Sequence, residues 1–446
     1  MSSRNRWSPP GGAPRAGALA PAGPAAELRL PAGMRDFAPE ATAARRRIAE
    51  RSLAMFDRWG FARVITPVFE YEDVLALGLG RAGRDAAIRF VEPSSGKIVA
   101  LPPDITPQIA RLIATRFRDE EGPVRLAYEG TVVRLDQRAR SQREIIQAGV
   151  EMAGVAGPRG DAEIIALGAA TLDAVGFPDV TIDLGHLGLC REVLDALDLD
   201  DDARELVRQR IAKRDRAGLT LALQKARGPR AVIEFAARLP ALGGPPSVLT
   251  EAIALAPARP AGIRRALLEL GDILDELARY RLTARLHVDL AEVRGWDYYT
   301  GMRVQGYVQG APEAILQGGR YDSLLARYGR PSPAVGFAID VEATAGALEH
   351  VPAAALTTAA ANEKADGQGG VLIAGPHEQT LGAVEEARRQ GRRAAAVEVT
   401  GDGQQLAGDA LHAYARRWLF SEVRELGSSH KLRKAAGRVP GDSRRK

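Results

Sequence analysis

Val293-Arg294-Gly295-Trp296-Asp297-Tyr298-Tyr299-Thr300-Gly301 brings two adjacent tyrosines, an arginine and flanking glycines into one short run. On a strand, side chains alternate between faces, so one tyrosine would point in and the other out, and at most one would wall a pocket. Plain core packing accounts for the pair equally well. Downstream, Gln317-Gly318-Gly319-Arg320-Tyr321-Asp322 carries paired glycines, and Pro333-Ala334-Val335-Gly336-Phe337-Ala338-Ile339-Asp340-Val341-Glu342 runs from a strand toward a helix. Glycines let a backbone come close to a ligand, although a Gly-Gly turn between strands would read the same way. Upstream, Asp104 and Thr106 of Leu101-Pro102-Pro103-Asp104-Ile105-Thr106-Pro107-Gln108 sit two apart just after a strand. There an acid and a hydroxyl can point the same way and hold an ammonium group. A helix N-terminus with Thr106 as its cap is the plainer account. Between two strands, Val133 to Glu144 holds Arg134, Arg138, Arg140 and Arg143. Guanidinium forks suit a phosphate or carboxylate, and a solvated hairpin tip suits them too. Gln147 and Glu151 lie four apart on the following strand and share a face; with Asp161 and Glu163 beyond, that run could be an edge strand.

The 446 residues allow two or three domains and a sizeable core. The formal charge is +5, but seven of the 61 basic residues are Lys and the rest Arg, so a compositional habit explains the surplus as readily as a nucleic-acid surface. Cys190 is the single cysteine, which excludes an intrachain disulfide and a thiolate zinc cluster. No apolar run is long enough for a membrane helix, and the Ala-, Pro- and Gly-rich start lacks the apolar core of a secretory signal; a cytoplasmic protein is expected. Residues 1–29 are expected to be disordered. A helix is expected from Pro39 with Ile48, Leu53, Phe56 and Trp59 inward, stopping at Gly60, and then a strand over Phe61–Phe69. Strands are also expected at 98–101, 124–128, 145–152, 180–184, 286–290, 302–308 and 334–339, with helices at 107–117 and 161–175. From about 187 to 280 the pattern is helical, an insertion within a core of residues 30–345. A linker (346–370, of low complexity from Ala353), a reduced α/β unit (371–426) and a basic tail (427–446) complete the chain.

None of these motifs is specific alone, but their order resembles that of histidyl-tRNA synthetase over roughly residues 29–345. The resemblance implies an α+β fold: the antiparallel six-stranded sheet of class II aminoacyl-tRNA synthetases, flanked by helices, with a helical insertion and a homodimer formed through the first helix and strand. It further implies histidine-binding positions: Asp104, Thr106 and Gln147 for the α-amino group, Arg134 for the carboxylate with Arg294 beside it, and Glu151 and Tyr299 for the two imidazole nitrogens, Tyr298 adjoining. An amino acid zwitterion needs an anion for its ammonium and a cation for its carboxylate, and acceptors around an imidazole penalise an apolar replacement.

The departures from that family fall on the ATP side. The second motif reads Arg-Leu-Asp-Gln-Arg in place of Arg-x-Glu-Arg-Pro, in a loop one residue shorter. The third reads Asp340-Val341-Glu342-Ala343 where an arginine should close it. The missing guanidinium forfeits roughly 1.5–3 kcal/mol of charge-assisted contact, and Asp340 would set a negative charge near a triphosphate. The C-terminal unit reads as a β-α-β stretch over 371–399 followed by a helix around 404–425 with no clear later strand, poor material for an anticodon domain. A kept amino acid pocket, damaged ATP motifs and an eroded C-terminal domain resemble the synthetase-like regulatory subunits of ATP phosphoribosyltransferase. That resemblance implies a non-catalytic chain in a hetero-octamer with a short catalytic subunit, with L-histidine as feedback effector in the first step of histidine biosynthesis. It implies no cofactor, no metal, no catalytic residue and no tRNA binding.

Overall fold

Why the chain folds from Pro39 is visible in its spacing: Ile48, Ser52, Leu53 and Phe56 fall on one side of helix α1 (Pro39–Arg58) and are buried. The computed structural model describes residues 30–135, 142–293, 297–351, 370–397, 406 and 408–426. The expectations for residues 1–29, the tip of the arginine-rich loop, Arg294, most of the linker and the basic tail lie outside these.

After α1 come β1 (Ala62–Arg63), β2 (Glu70–Tyr71), α2 (Glu72–Gly78), α3 (Arg81–Ala86), β3 (Arg89–Val91) and β4 (Ile98–Ala100). The strand expected over Phe61–Phe69 is a correction: only Ala62–Arg63 pairs, in parallel, with Leu126 and Ala127. Past Val64, whose N–H donates to the Ala127 carbonyl at 2.9 Å, the stretch leaves the sheet: Pro67 has no N–H for a ladder, and Ile65 and Val68 point into solvent. Next are α4 (Thr106–Arg116), the long pair β5 (Val124–Val133) and β6 (Glu144–Ala153), α5 (Pro158–Val175) and β7 (Val180–His186). Asp161 and Glu163 belong to α5, and β6 lies inside the sheet between β5 and a later strand, so the edge-strand alternative falls.

The helical insertion comprises α6 (Leu187–Ala196), α7 (Asp201–Ala212), α8 (Arg216–Leu223), α9 (Arg230–Arg238), the short β8 (Gly243–Gly244), α10 (Val248–Leu255) and α11 (Ala261–Leu277). It has its own core around Leu189, Phe235 and Leu267. The chain then returns to the sheet with β9 (Arg285–Asp289), β10 (Met302–Val308), β11 (Leu316–Arg320), α12 (Leu324–Arg327), β12 (Ala334–Asp340) and α13 (Val341–Leu348). The paired glycines are therefore inside β11, not at a turn. A Cβ at Gly318 would stand 2.2 Å from the Gly336 carbonyl oxygen, so the bare backbone lets β11 and β12 close on each other.

The main sheet has nine strands in the order β1-β5-β6-β12-β11-β10-β7-β9-β8. Its middle six, β5 to β7, pair antiparallel throughout, as the resemblance implied; β1 and β9 add in parallel at the two sides. Strand alternation sorts the side chains. Ala148, Val150, Met302, Val304, Val335, Phe337 and Ile339 pack with α1 and α5 into the largest core. Gln147, Glu151, Arg303, Gln317, Gly336 and Asp340 fall on the opposite face, which leaves that face for a ligand.

The C-terminal unit is β13 (Gly370–Ala374), α14 (His377–Arg389), β14 (Ala394–Val397), α15 (Gly408–Arg417) and β15 (Phe420–Glu425). Its last strand corrects the expectation of a helix running to 425: β13, flanked by β14 and β15, forms a parallel three-stranded sheet. The charges of Phe-Ser-Glu-Val-Arg-Glu hid a strand whose outer positions face water. This unit is anchored to the body. Leu372, Ala395 and Trp418 share a core with Ile109, Val124 and Leu126. Arg388 reaches Glu163 at 3.2 Å and stacks 3.6 Å over the Trp59 ring, while Glu163 also takes both guanidinium nitrogens of Arg125, at 2.8 and 2.9 Å.

Candidate functional site

On the ligand-facing side of the sheet, a cavity is lined by Asp104, Thr106, Arg134, Gln147, Tyr298 and Tyr299 together with Tyr321, Gln317, Gly336 and Asp340. Pro102 and Pro103 end β4 and turn the chain so that Asp104 comes beneath the loop at 297–300. Asp104 is buried and accepts a hydrogen bond from the Tyr298 hydroxyl at 2.5 Å. Burial raises its carboxyl above the usual carboxylate range, against the pull of Arg134, Tyr298 and Gln147.

Gln147 and Glu151 come from the same face of β6, both buried. Among the described residues none donates to the buried Gln147 Oε1. Glu151 accepts from Thr106 Oγ1 at 2.7 Å, from the Tyr128 hydroxyl at 3.2 Å, and from the Tyr321 hydroxyl. Burial pushes its carboxyl up to about 8, opposed by the hydroxyls of Thr106 and Tyr321 and reinforced by Asp104. The sheet makes room for it with glycine: a Cβ at Gly336 would stand 1.8 Å from Glu151 Oε2.

The two adjacent tyrosines do not lie on a strand. They sit in the loop before β10, where alternation does not apply, so both are buried and both wall the cavity. Their ring centroids are 4.8 Å apart, and Tyr321 meets them edge-on at 5.8 and 6.5 Å. Thr106 opens α4, but its side chain makes no cap; it is committed to Glu151, which removes the plainer reading of that motif. Arg134 is half-buried at the end of β5 and donates from Nε to the Pro103 carbonyl at 2.6 Å. Thus the seven described positions of the eight named from the sequence gather on this face, with Glu151 just behind the cavity lining; Arg294 lies outside the described residues.

Sequence reasoning passed over Tyr128 and Tyr321 as partners of Glu151. Tyr321 stood inside a quoted motif, and Tyr128 faces Gly149 across the β5–β6 ladder, where a Cβ would be 2.5 Å from its hydroxyl. Asp340 also has a role that sequence did not give it: it caps α13, accepting from the Ala343 N–H at 2.9 Å, and burial raises its carboxyl. Chemically, the arrangement can bind a small solute rich in N–H donors. It offers an open amide oxygen, two buried carboxyls and phenols, with a guanidinium at the side.

A family profile described as histidyl-tRNA synthetase matches residues 33–344. An ATP phosphoribosyltransferase regulatory subunit of Geobacter metallireducens is 40% identical over 327 residues, covering 73% of this chain and 75% of the relative. One of Symbiobacterium thermophilum with the same name is 35% identical over 396 residues, covering 88% and 95%. Among solved structures, a histidine–tRNA ligase subunit of Alicyclobacillus acidocaldarius is 29% identical with a TM-score of 0.62, covering 72% of this chain and 97% of that one. A structure from Bacillus halodurans, described as an ATP phosphoribosyltransferase regulatory subunit/histidyl-tRNA synthetase, shares the fold at 24% identity and a TM-score of 0.65, covering 90% and 98%.

Proposed function

The chain belongs to the family of histidyl-tRNA synthetase-like ATP phosphoribosyltransferase regulatory subunits, and from that premise we propose that it is a non-catalytic histidine sensor. It partners a short catalytic subunit that joins ATP to phosphoribosyl pyrophosphate, is required for that subunit's activity, and lets L-histidine inhibit it. One observation carries the reading: among the described residues none donates to the buried Gln147 Oε1 in the cavity, while Asp340 and Ala343 occupy the segment that should supply a triphosphate-binding arginine.

In this reading Asp104 and Gln147 hold the α-ammonium, with Thr106 between them and Glu151. Arg134, with Arg294, meets the carboxylate. Glu151 and Tyr299 take the two imidazole nitrogens, and Tyr298 fixes Asp104. Histidine shifts a conformational equilibrium of the dimer, and the heteromeric contact passes on a coupling of about 1–3 kcal/mol. The bare apolar side chains of Ile65 and Val68 beyond α1, 90% and 74% exposed, support a homodimer through that region and a hetero-octamer built on it. Among the described residues no helix is long and apolar enough to cross a membrane, which accords with a cytoplasmic role.

Calorimetric titration of the full chain with L-histidine tests the reading. Binding is expected, weakened at least tenfold by Glu151→Ala; equal affinity in the two proteins removes Glu151 from the site. The synthetase named among the structural relatives is the second reading. It requires histidine-dependent ATP–pyrophosphate exchange, and robust exchange would replace the sensor by an enzyme.

A further inference from the structure

Arg303 projects from β10 onto the ligand-facing side of the sheet and is 4% exposed. Its Nη2 donates to Gln317 Oε1 at 3.0 Å, and its guanidinium lies 5.4 Å from the centroid of the Tyr299 ring. Among the described residues no carboxylate comes within ion-pair distance of it, and its Nε–H is buried without an acceptor. A guanidinium stays charged whatever its surroundings. A buried cation without a counter-ion is costly, so its retention calls for a reason.

The reason lies in what the pocket would be without it. Tyrosine faces beside buried carboxyls make a cage for cations. Glu151, Tyr299 and Tyr321 alone would welcome an imidazolium, or the ammonium of a long basic side chain, as well as a neutral imidazole. A fixed positive charge behind Tyr299 opposes any second cation in front of it and leaves a neutral ring with one N–H and one bare nitrogen undisturbed. Other charged or titratable groups face this end: Tyr128 from β5, Asp104 ahead of α4, Tyr298 from the loop, and Glu292, which covers Gly185 of β7 next to Arg303. The acids among them attract a cation; Arg134, at the carboxylate side of the same cavity, and Arg303, behind Tyr299, repel one, and Arg303 is the one of the two that lies against the Tyr299 ring.

We propose that Arg303 is a specificity-determining residue of the pocket, acting through Tyr299 to select the neutral imidazole of histidine over imidazolium and over alkyl ammonium side chains. This deepens the histidine-sensor reading and rests on it. The test is calorimetric titration of the full chain with L-histidine between pH 5.5 and 7.5, and with L-ornithine at pH 7.5. Wild type is expected to lose affinity about tenfold per pH unit below the ordinary imidazole value near 6.5, and to ignore ornithine. Arg303→Met should flatten the loss to less than threefold per unit and admit ornithine, while Arg303→Lys should restore the wild-type slope. Should Arg303→Met fail to fold, Arg303→Gln carries the same expectation, since the slope is read within one protein. A slope unchanged in the neutral variants overturns the inference and leaves the sensor standing. Wild type that binds no histidine at either pH overturns both.

Discussion

Two clusters of charge are buried in this molecule, and they are finished to different degrees. At the joint between the body and the C-terminal unit, Glu163 has both oxygens taken by Arg125 and a further bond from Arg388, which itself lies on Trp59. These two cations hold the Glu163 carboxyl below its ordinary range although it is buried. In the pocket, Asp104 and Glu151 are equally buried, yet burial wins there and both carboxyls are raised. Their hydrogen bonds come from hydroxyls and an amide, the pull of Arg134 on Asp104 does not overcome burial, and among the described residues none donates to the Gln147 oxygen. A closed cluster holds a structure together; an open one waits for something.

The largest effect expected from this contrast is at the joint. Glu163→Ala strands two buried guanidinium groups and should cost about 3–5 kcal/mol in denaturant unfolding; a loss under about 1 kcal/mol would put the two clusters in the same class. Next is the pocket. Glu151→Gln keeps one acceptor oxygen, for Thr106 and Tyr128 or for Tyr321, so L-histidine affinity should fall at least tenfold while the unfolding midpoint drops far less than in Glu163→Ala. A midpoint that drops as far as that of Glu163→Ala would make Glu151 a structural residue.

The pH dependence of stability follows from the same carboxyl. Its folded value of about 8 exceeds the unfolded value near 4.5, so between them the folded state holds a proton that the unfolded state has lost. This contribution to stability is complete below about 4.5 and disappears as pH rises to about 8. Thermal unfolding at pH 5 and pH 8 should therefore differ more in wild type than in Glu151→Gln, and equal differences would contradict the raised value. The smallest effect concerns Asp340. Asp340→Ala removes the α13 cap and should cost roughly 0.5–2 kcal/mol, without conferring ATP–pyrophosphate exchange; exchange gained by that variant would mean its negative charge alone had blocked ATP.

Much of this was legible because the signal was periodic. α1 carries an apolar spacing that matches one face, β7 opens on strict alternation, and the β6 pair Gln147 and Glu151 obeyed strand alternation. What escaped was set by contacts between distant segments. β11 is strand because its glycines fit against the Gly336 backbone, which nothing nearby in the chain announces. Tyr298 and Tyr299 share a pocket because their segment is a loop, where side-chain direction has no fixed period. The Phe61–Phe69 stretch reads as a strand from its apolar residues, yet most of it finds no neighbouring strand within this chain. β15 was hidden by charge, since a strand at the side of a small sheet needs few apolar positions.

The parallel arrangement of β13 between β14 and β15 has a consequence for biosynthesis. The central strand leaves the ribosome first, and its second flank, β15, follows only some 50 residues after it, a delay of several seconds at roughly 5–20 residues per second. Through that interval one row of β13 backbone groups has no mate, while the nine-stranded body already has every strand it needs. Nascent chains arrested just before Phe420 are therefore expected to carry a finished body and an unfinished appendage, the state in which a chaperone would find most to hold.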